Sequence, residues 1–214
     1  MFDLVQQINA THRELGNAPI DGRAGRSLVL RRTYAADVED VWSACTDPTR
    51  LARWFGEVDG DLRVGGSFQV HGNASGDVLE CAAPRQLKVS WVLGPGMATE
   101  VEVRLTTSGQ ETVLELEHTT PADVLDELVR TYGPGGTIGV GTGWDITLLG
   151  LHLHLADAPI DTATWESSEE VVAFAVRTCQ AWGDVVQDAW SVDDDTLAAG
   201  IAFATSNFVP EESR

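Results

Sequence analysis

Two side chains in the middle of the chain have the types that move protons, Glu80 and His118. His118 ends the segment TVLELEH at residues 112–118 and shares its alternation with Leu114 and Leu116, so on a strand its imidazole turns inward with them. Glu80 shares the alternation of Val78 and is expected inside for the same reason. A carboxylate and an imidazole in one interior would suit acid/base chemistry. The alternative is a histidine whose ring is satisfied by structural hydrogen bonds.

Three other groups of reactive residues lead away from catalysis. His152 and His154 would share a face on a strand and could chelate a metal, but on a helix they diverge by about 200° at about 100° per residue. Gly139, Gly141 and Gly143 lack both the GxGxxG spacing and the Gly-Lys-Ser/Thr ending that grips phosphate, which leaves a flexible loop able to gate a cavity. Cys45, Cys81 and Cys179 are odd in number and widely spaced, with no CxxC pair and no histidine clustered beside them. That pattern excludes a disulfide framework and a zinc site and fits a reducing cytoplasm. No metal and no cofactor are expected.

The elements that carry these residues follow from periodicity. Phe2, Val5, Ile8, His12 and Leu15 recur at helical spacing, and residues 16–22 (GNAPIDG) read as a linker. Residues 27–34 (SLVLRRTY) are rich in strand formers, and Asp37 is placed to cap a helix bearing Val38, Val41 and Trp42. Asp47 and Pro48 start a second short helix carrying Leu51, Trp54 and Phe55. Short alternating segments follow at residues 66–72, 77–82, 87–93, 99–106 and 112–119, separated by turn formers, which is the pattern of an antiparallel meander. Pro121 opens a short helix. Residues 144–156 (WDITLLGLHLHLA) are read as a long helix, because a strand of that length would need turn signals. Ser167 and Glu170 form a capping box ahead of a helix whose apolar stripe includes Cys179, Trp182 and Val186, and a last helix spans about residues 195–206.

This order of strand, two short helices, meander and long helix gives an α+β helix-grip fold, a curved antiparallel sheet wrapped around a long helix, with a C-terminal helical extension. Trp42 with Thr46, Asp47 and Pro48, then Leu51, Trp54 and Phe55, then DLRVGG at residues 61–66 with Phe68 resembles the activator of heat-shock-protein-90 ATPase homologue-like family of the START-like superfamily. Gly76, Val78, Leu79 and Glu80, then Pro84, Leu87, Trp91, the 112–118 strand, Gly143 and Trp144 continue that series in order. The resemblance implies a domain over residues 27–156; the helix and linker at 1–26 and the helical extension at 157–214, read from periodicity, lie outside it. It also implies an internal cavity of the kind that takes lipids, polyketides or hormones in related folds, some of which are cyclases.

The expected cavity liners are Trp54, Phe55, Phe68, Val70, Trp91, Val101, Leu116, His118, Trp144 and Leu148. Charge narrows the partner. With 33 acidic residues against 14 basic ones, a net charge of -19, the chain has too little positive surface for nucleic acid or an anionic membrane. A small apolar ligand is the expected partner. The alternatives are a co-chaperone-like contact or a homodimer through the C-terminal helices and their Trp182 and Val186 stripe, and a cyclase or dehydratase using Glu80 and His118.

Overall fold

The computed structural model describes residues 3–94, 98–162 and 164–209. A short helix α1 (Leu4–Asn9), capped by Asp3, leads into a hairpin of β1 (Thr11–Ile20) and β2 (Arg23–Tyr34). Asp21 and Gly22 form its two-residue turn at φ 48° and 70°, the left-handed conformation that Asp-Gly tolerates and that matches strand twist. The expected helix therefore ends at Asn9, and residues 11–20, expected to complete it and begin a linker, are strand paired over their length with β2. Phe2 lies outside the described residues.

Helices α2 (Val38–Thr46) and α3 (Pro48–Leu51) form where expected. Asp37 accepts from the Asp40 amide, and Asp47 accepts from the Thr49 and Arg50 amides. Then come β3 (Val58–Gly60), β4 (Ser67–Val70), β5 (Ser75–Ala82), β6 (Gln86–Trp91), β7 (Thr99–Ser108) and β8 (Glu111–Pro121). Together the strands make one antiparallel sheet in the order β1-β2-β8-β7-β6-β5-β4-β3. Alternation sends Leu28, Leu30, Val101, Leu105, Leu114 and Leu116 to one buried face. The opposite face carries a charge ladder in which Arg104 contacts Glu102, Glu115 and Glu117.

Among the described residues four α-helices follow: α4 (Ala122–Tyr132), α5 (Gly135–Leu155), α6 (Glu169–Trp190) and α7 (Asp194–Ser206). Helix α5 lies in the grip of the sheet, with Ile138, Leu148 and Leu151 in the same core as Leu30, Leu114 and Leu116. It begins nine residues before Trp144, so the expected glycine loop is helix, and its gating role falls with it. Close packing is the reason. A Cβ at Gly141 would lie 2.4 Å from the Trp182 ring, and one at Gly135 would lie 2.7 Å from Phe203. Each helical glycine costs about 1 kcal/mol against alanine, offset here by the approach of α6 and α7.

Helix α6 starts one residue later than expected. Residues Trp165–Ser167 take a 3₁₀ turn, so the cap is Ser168, whose hydroxyl accepts from the Val171 amide, and not Ser167. Its apolar stripe faces inward. Trp182 and Val186 are both 0% exposed in the single chain and belong to the main core, so they cannot be the docking stripe for a second copy.

A buried polar network seals this side of α5. Asp145 accepts two 2.8 Å hydrogen bonds from Arg13 of β1 and one of 2.8 Å from the Trp182 indole of α6. Burial pushes its carboxyl above the ordinary value, while Arg13 and Trp182 pull against that rise. Beside it, buried Arg32 of β2 is held by Gln7 of α1 and lies 5.8 Å over the Tyr34 ring. Burial lowers the Arg32 pKa. Strand β1 and helix α6 are thus tied to α5 through Asp145, and α1 to β2 through Arg32, by side chains that no apolar pattern reveals.

Candidate functional site

On its other side α5 is not sealed. A half-open cleft of about 1720 Å³ runs between α5, the sheet and α4 and extends to the end of α6, with Trp190, and to α7, with Phe203. Strand β6 supplies Trp91, β7 supplies Thr99, β8 supplies His118, and the turn after α3 supplies Phe55. Helix α5 supplies Thr137, Val140, Gly143, Trp144 and Thr147, spaced to share one side of a helix. Helix α4 overhangs the cleft with Val124, Leu125, Leu128, Val129 and Tyr132, and none of its residues is buried. Leu128 is 46% exposed and Tyr132 79%, so the apolar side of this helix faces unfilled space.

The floor of the cleft is aromatic and continues into the small core at Phe68. Ring centroids step from Phe68 to Trp91 (6.1 Å), from Trp91 to Trp144 (5.3 Å) and from Trp144 to His118 (5.8 Å, edge to face). A directed hydrogen-bond chain fixes the protonation of His118. The Trp144 indole N–H can only donate, so Nδ1 of His118 accepts it, at 2.9 Å. Nε2 must then carry the ring proton and donate to the Thr99 hydroxyl at 2.8 Å, and that hydroxyl donates to the Trp91 carbonyl at 2.9 Å. Burial depresses the His118 pKa to about 4, which agrees with a neutral ring. His118 is thus a satisfied strut that sets the two tryptophans.

The acid/base pair does not form. A bulge between Val78 and Glu80 inserts one residue into β5, so Glu80 pairs with Lys88 on the outer face and is exposed. Of the expected liners, the cleft gathers Phe55, Trp91, His118 and Trp144. Trp54 is buried elsewhere, its indole donating to the Ala44 carbonyl at 3.1 Å. Phe68 and Val70 build a small core with Val78, and Val101, Leu116 and Leu148 sit in the main core. His152 and His154 diverge as a helix requires: Nε2 of one lies 3.4 Å from the Gln7 amide nitrogen, and Nε2 of the other 3.3 Å from Nε of Arg50.

Thr99, Thr137 and the α4 residues were not anticipated. Thr99 lies directly opposite Trp91 in the β6/β7 register, a pairing that alternation alone leaves undetermined. The α4 side chains did carry a signal, since Val124, Leu125, Leu128, Val129 and Tyr132 recur at helical spacing.

The family described as "Activator of Hsp90 ATPase homolog 1-like protein" matches residues 35–152, from the end of β2 to the last turn of α5. The chain belongs to that family. Among solved structures it is similar to CalU16 from Micromonospora echinospora at 39% identity. The crystal structure of CalU16 gives a TM-score of 0.67 over 83% of this chain and 99% of CalU16. Its solution structure gives 0.70 over 84% and 96%. DynU16, from the dynemicin biosynthetic locus, is 24% identical with a TM-score of 0.51 over 64% of this chain and 48% of its own, a likeness of fold alone. No curated protein matches the chain significantly. The CalU16 match covers more of the chain than the family segment does, so elements flanking residues 35–152 are shared with it. No described helix is long and apolar enough to cross a membrane.

Proposed function

We propose that the chain binds a small, largely apolar ligand in the cleft between α5, the sheet and α4, in the cytoplasm and without metal or cofactor. The observation that carries this reading is the overhang of α4. An amphipathic helix with no buried residue presents Val124, Leu125, Leu128 and Val129 to a cleft floored by Trp91 and Trp144. Filling that space would remove apolar surface from water on both sides, at about 25 cal/mol per Å². The neutral, doubly bonded His118 and the outward Glu80 favour binding over acid/base catalysis. A second reading, a co-chaperone-like protein contact, draws on Leu128, Tyr132, Val140 and Phe203, which are all exposed and all line the same cleft.

Gly143 provides the test. It lines the cleft within α5, and a Cβ there meets nothing within 4 Å, so Gly143→Leu starts its side chain into the open space of the cleft. Native mass spectrometry with organic extraction, and titration with the neutral dye Nile red, are expected to show binding by the wild type and none by Gly143→Leu. A wild type that carries nothing and binds no apolar probe contradicts the proposal and leaves the protein-contact reading.

A further inference from the structure

We infer that Thr137 is a polar anchor of the cleft and that its ligand is a non-anionic ring system bearing a hydroxyl or carbonyl directed at that threonine; this rests on the cleft being a binding site. Thr137 lies two turns before Trp144 on the side of α5 turned to the sheet, the side that also carries Leu148 and Leu151. It lines the cleft, is only 6% exposed, and its hydroxyl has no hydrogen-bond partner. Buried hydroxyls are normally bonded, and a helical threonine usually reaches a carbonyl in the preceding turn. Thr147, on the same helix and also lining the cleft, does so, donating to the Gly143 carbonyl at 3.0 Å. Thr137 departs from that habit where the cleft opens.

Ser27 of β2 is the other lining residue in this condition, 3% exposed with an unpartnered hydroxyl, whereas the cationic groups of the lining are engaged. Arg26 is bonded through Nε and Nη2 to Asp126 and through Nη1 to Asn17. Arg130 is bonded to Glu127, and His118 uses both ring nitrogens. Among the described residues lining the cleft, no cation is left to meet an anionic group, and the net charge of -19 repels one. An unpartnered hydroxyl over an aromatic floor therefore selects for uncharged rings that carry a hydrogen-bonding substituent.

Naphthalene, 2-naphthol and 2-naphthalenesulfonate separate these claims when titrated against wild type, Thr137→Val and Thr137→Ser. The expected result has three parts. Wild type prefers 2-naphthol over naphthalene by about tenfold, the worth of one hydrogen bond. That preference vanishes in Thr137→Val and survives in Thr137→Ser. Ligand-free Thr137→Val unfolds at a higher temperature than wild type, because it loses an unpartnered buried hydroxyl. Thr137→Ala gives the same comparison where valine perturbs packing. Equal binding of naphthalene and 2-naphthol by wild type, or an undiminished preference in Thr137→Val, overturns the role of Thr137 and leaves the cleft as a binding site. Tightest binding of the sulfonate overturns the exclusion of anions. Failure of all three probes to bind wild type removes this inference and the binding function together.

Discussion

The two sides of helix α5 solve opposite problems with similar residues. On one side Asp145 and Trp182 are joined at 2.8 Å and locked by Arg13, and Gly141 lets the indole press against the helix backbone. On the other side Trp144 and His118 are joined at 2.9 Å, but their rings floor an open cleft, and Thr137 nearby has no partner. Both sides use an indole N–H to fix a tryptophan. The difference lies in what covers it: Asp145 and Trp182 are 0% exposed beneath β1 and α6, whereas α4 overhangs the second side without burying any of its own residues. A tightly sealed side gives the helix a fixed position, and that leaves the other side free to hold a ligand.

Breaking the sealed side should have the largest effect. Asp145→Ala leaves Arg13 buried without a counter-charge and is expected to cost about 3–5 kcal/mol in urea unfolding. Joint replacement of Arg13 and Asp145 by Met and Leu should cost far less, because both charges leave together. On the cleft side, the His118 pKa of about 4 lies below its ordinary 6.5, so the unfolded chain takes up a proton that the folded chain refuses. This group therefore leaves stability unchanged above about pH 6.5 and lowers it as pH falls from about 6.5 to about 4, by about 3 kcal/mol in total. His118→Gln should flatten that part of the stability profile. Gly141→Ala, which drives a methyl group into the Trp182 ring, should cost about 1–3 kcal/mol. Gly143→Leu, on the open side of the same helix, should leave stability unchanged or slightly higher, since its Cβ meets no neighbour and it removes a helical glycine. Paired thermal melts of these two glycine variants compare the two sides directly.

What the sequence revealed follows the same division. The meander, the caps at Asp37 and Asp47, and the inward His118 were legible because alternation and capping are local properties. The β1/β2 hairpin was missed, although Asp21-Gly22 carried a turn signal, because His12 and Leu15 also fit a helical period. The glycines of α5 were read as a loop because their partners, Trp182 and Phe203, lie far along the chain. Glu80 was placed inside because one inserted residue in β5 reverses every side chain beyond it, and alternation shows no trace of a bulge. In the site, the aromatic floor was legible from residue type. The overhang of α4 and the unpartnered Thr137 hydroxyl were not, because both depend on what a side chain fails to touch.

The central claim, that one side of α5 binds and the other only supports, is tested most directly by the indole N–H resonances of nitrogen-labelled protein during titration with 2-naphthol. The account predicts that the Trp91 and Trp144 signals move progressively while that of Trp182, bonded to Asp145, stays in place. A shift of Trp182 with Trp144 unmoved would contradict it.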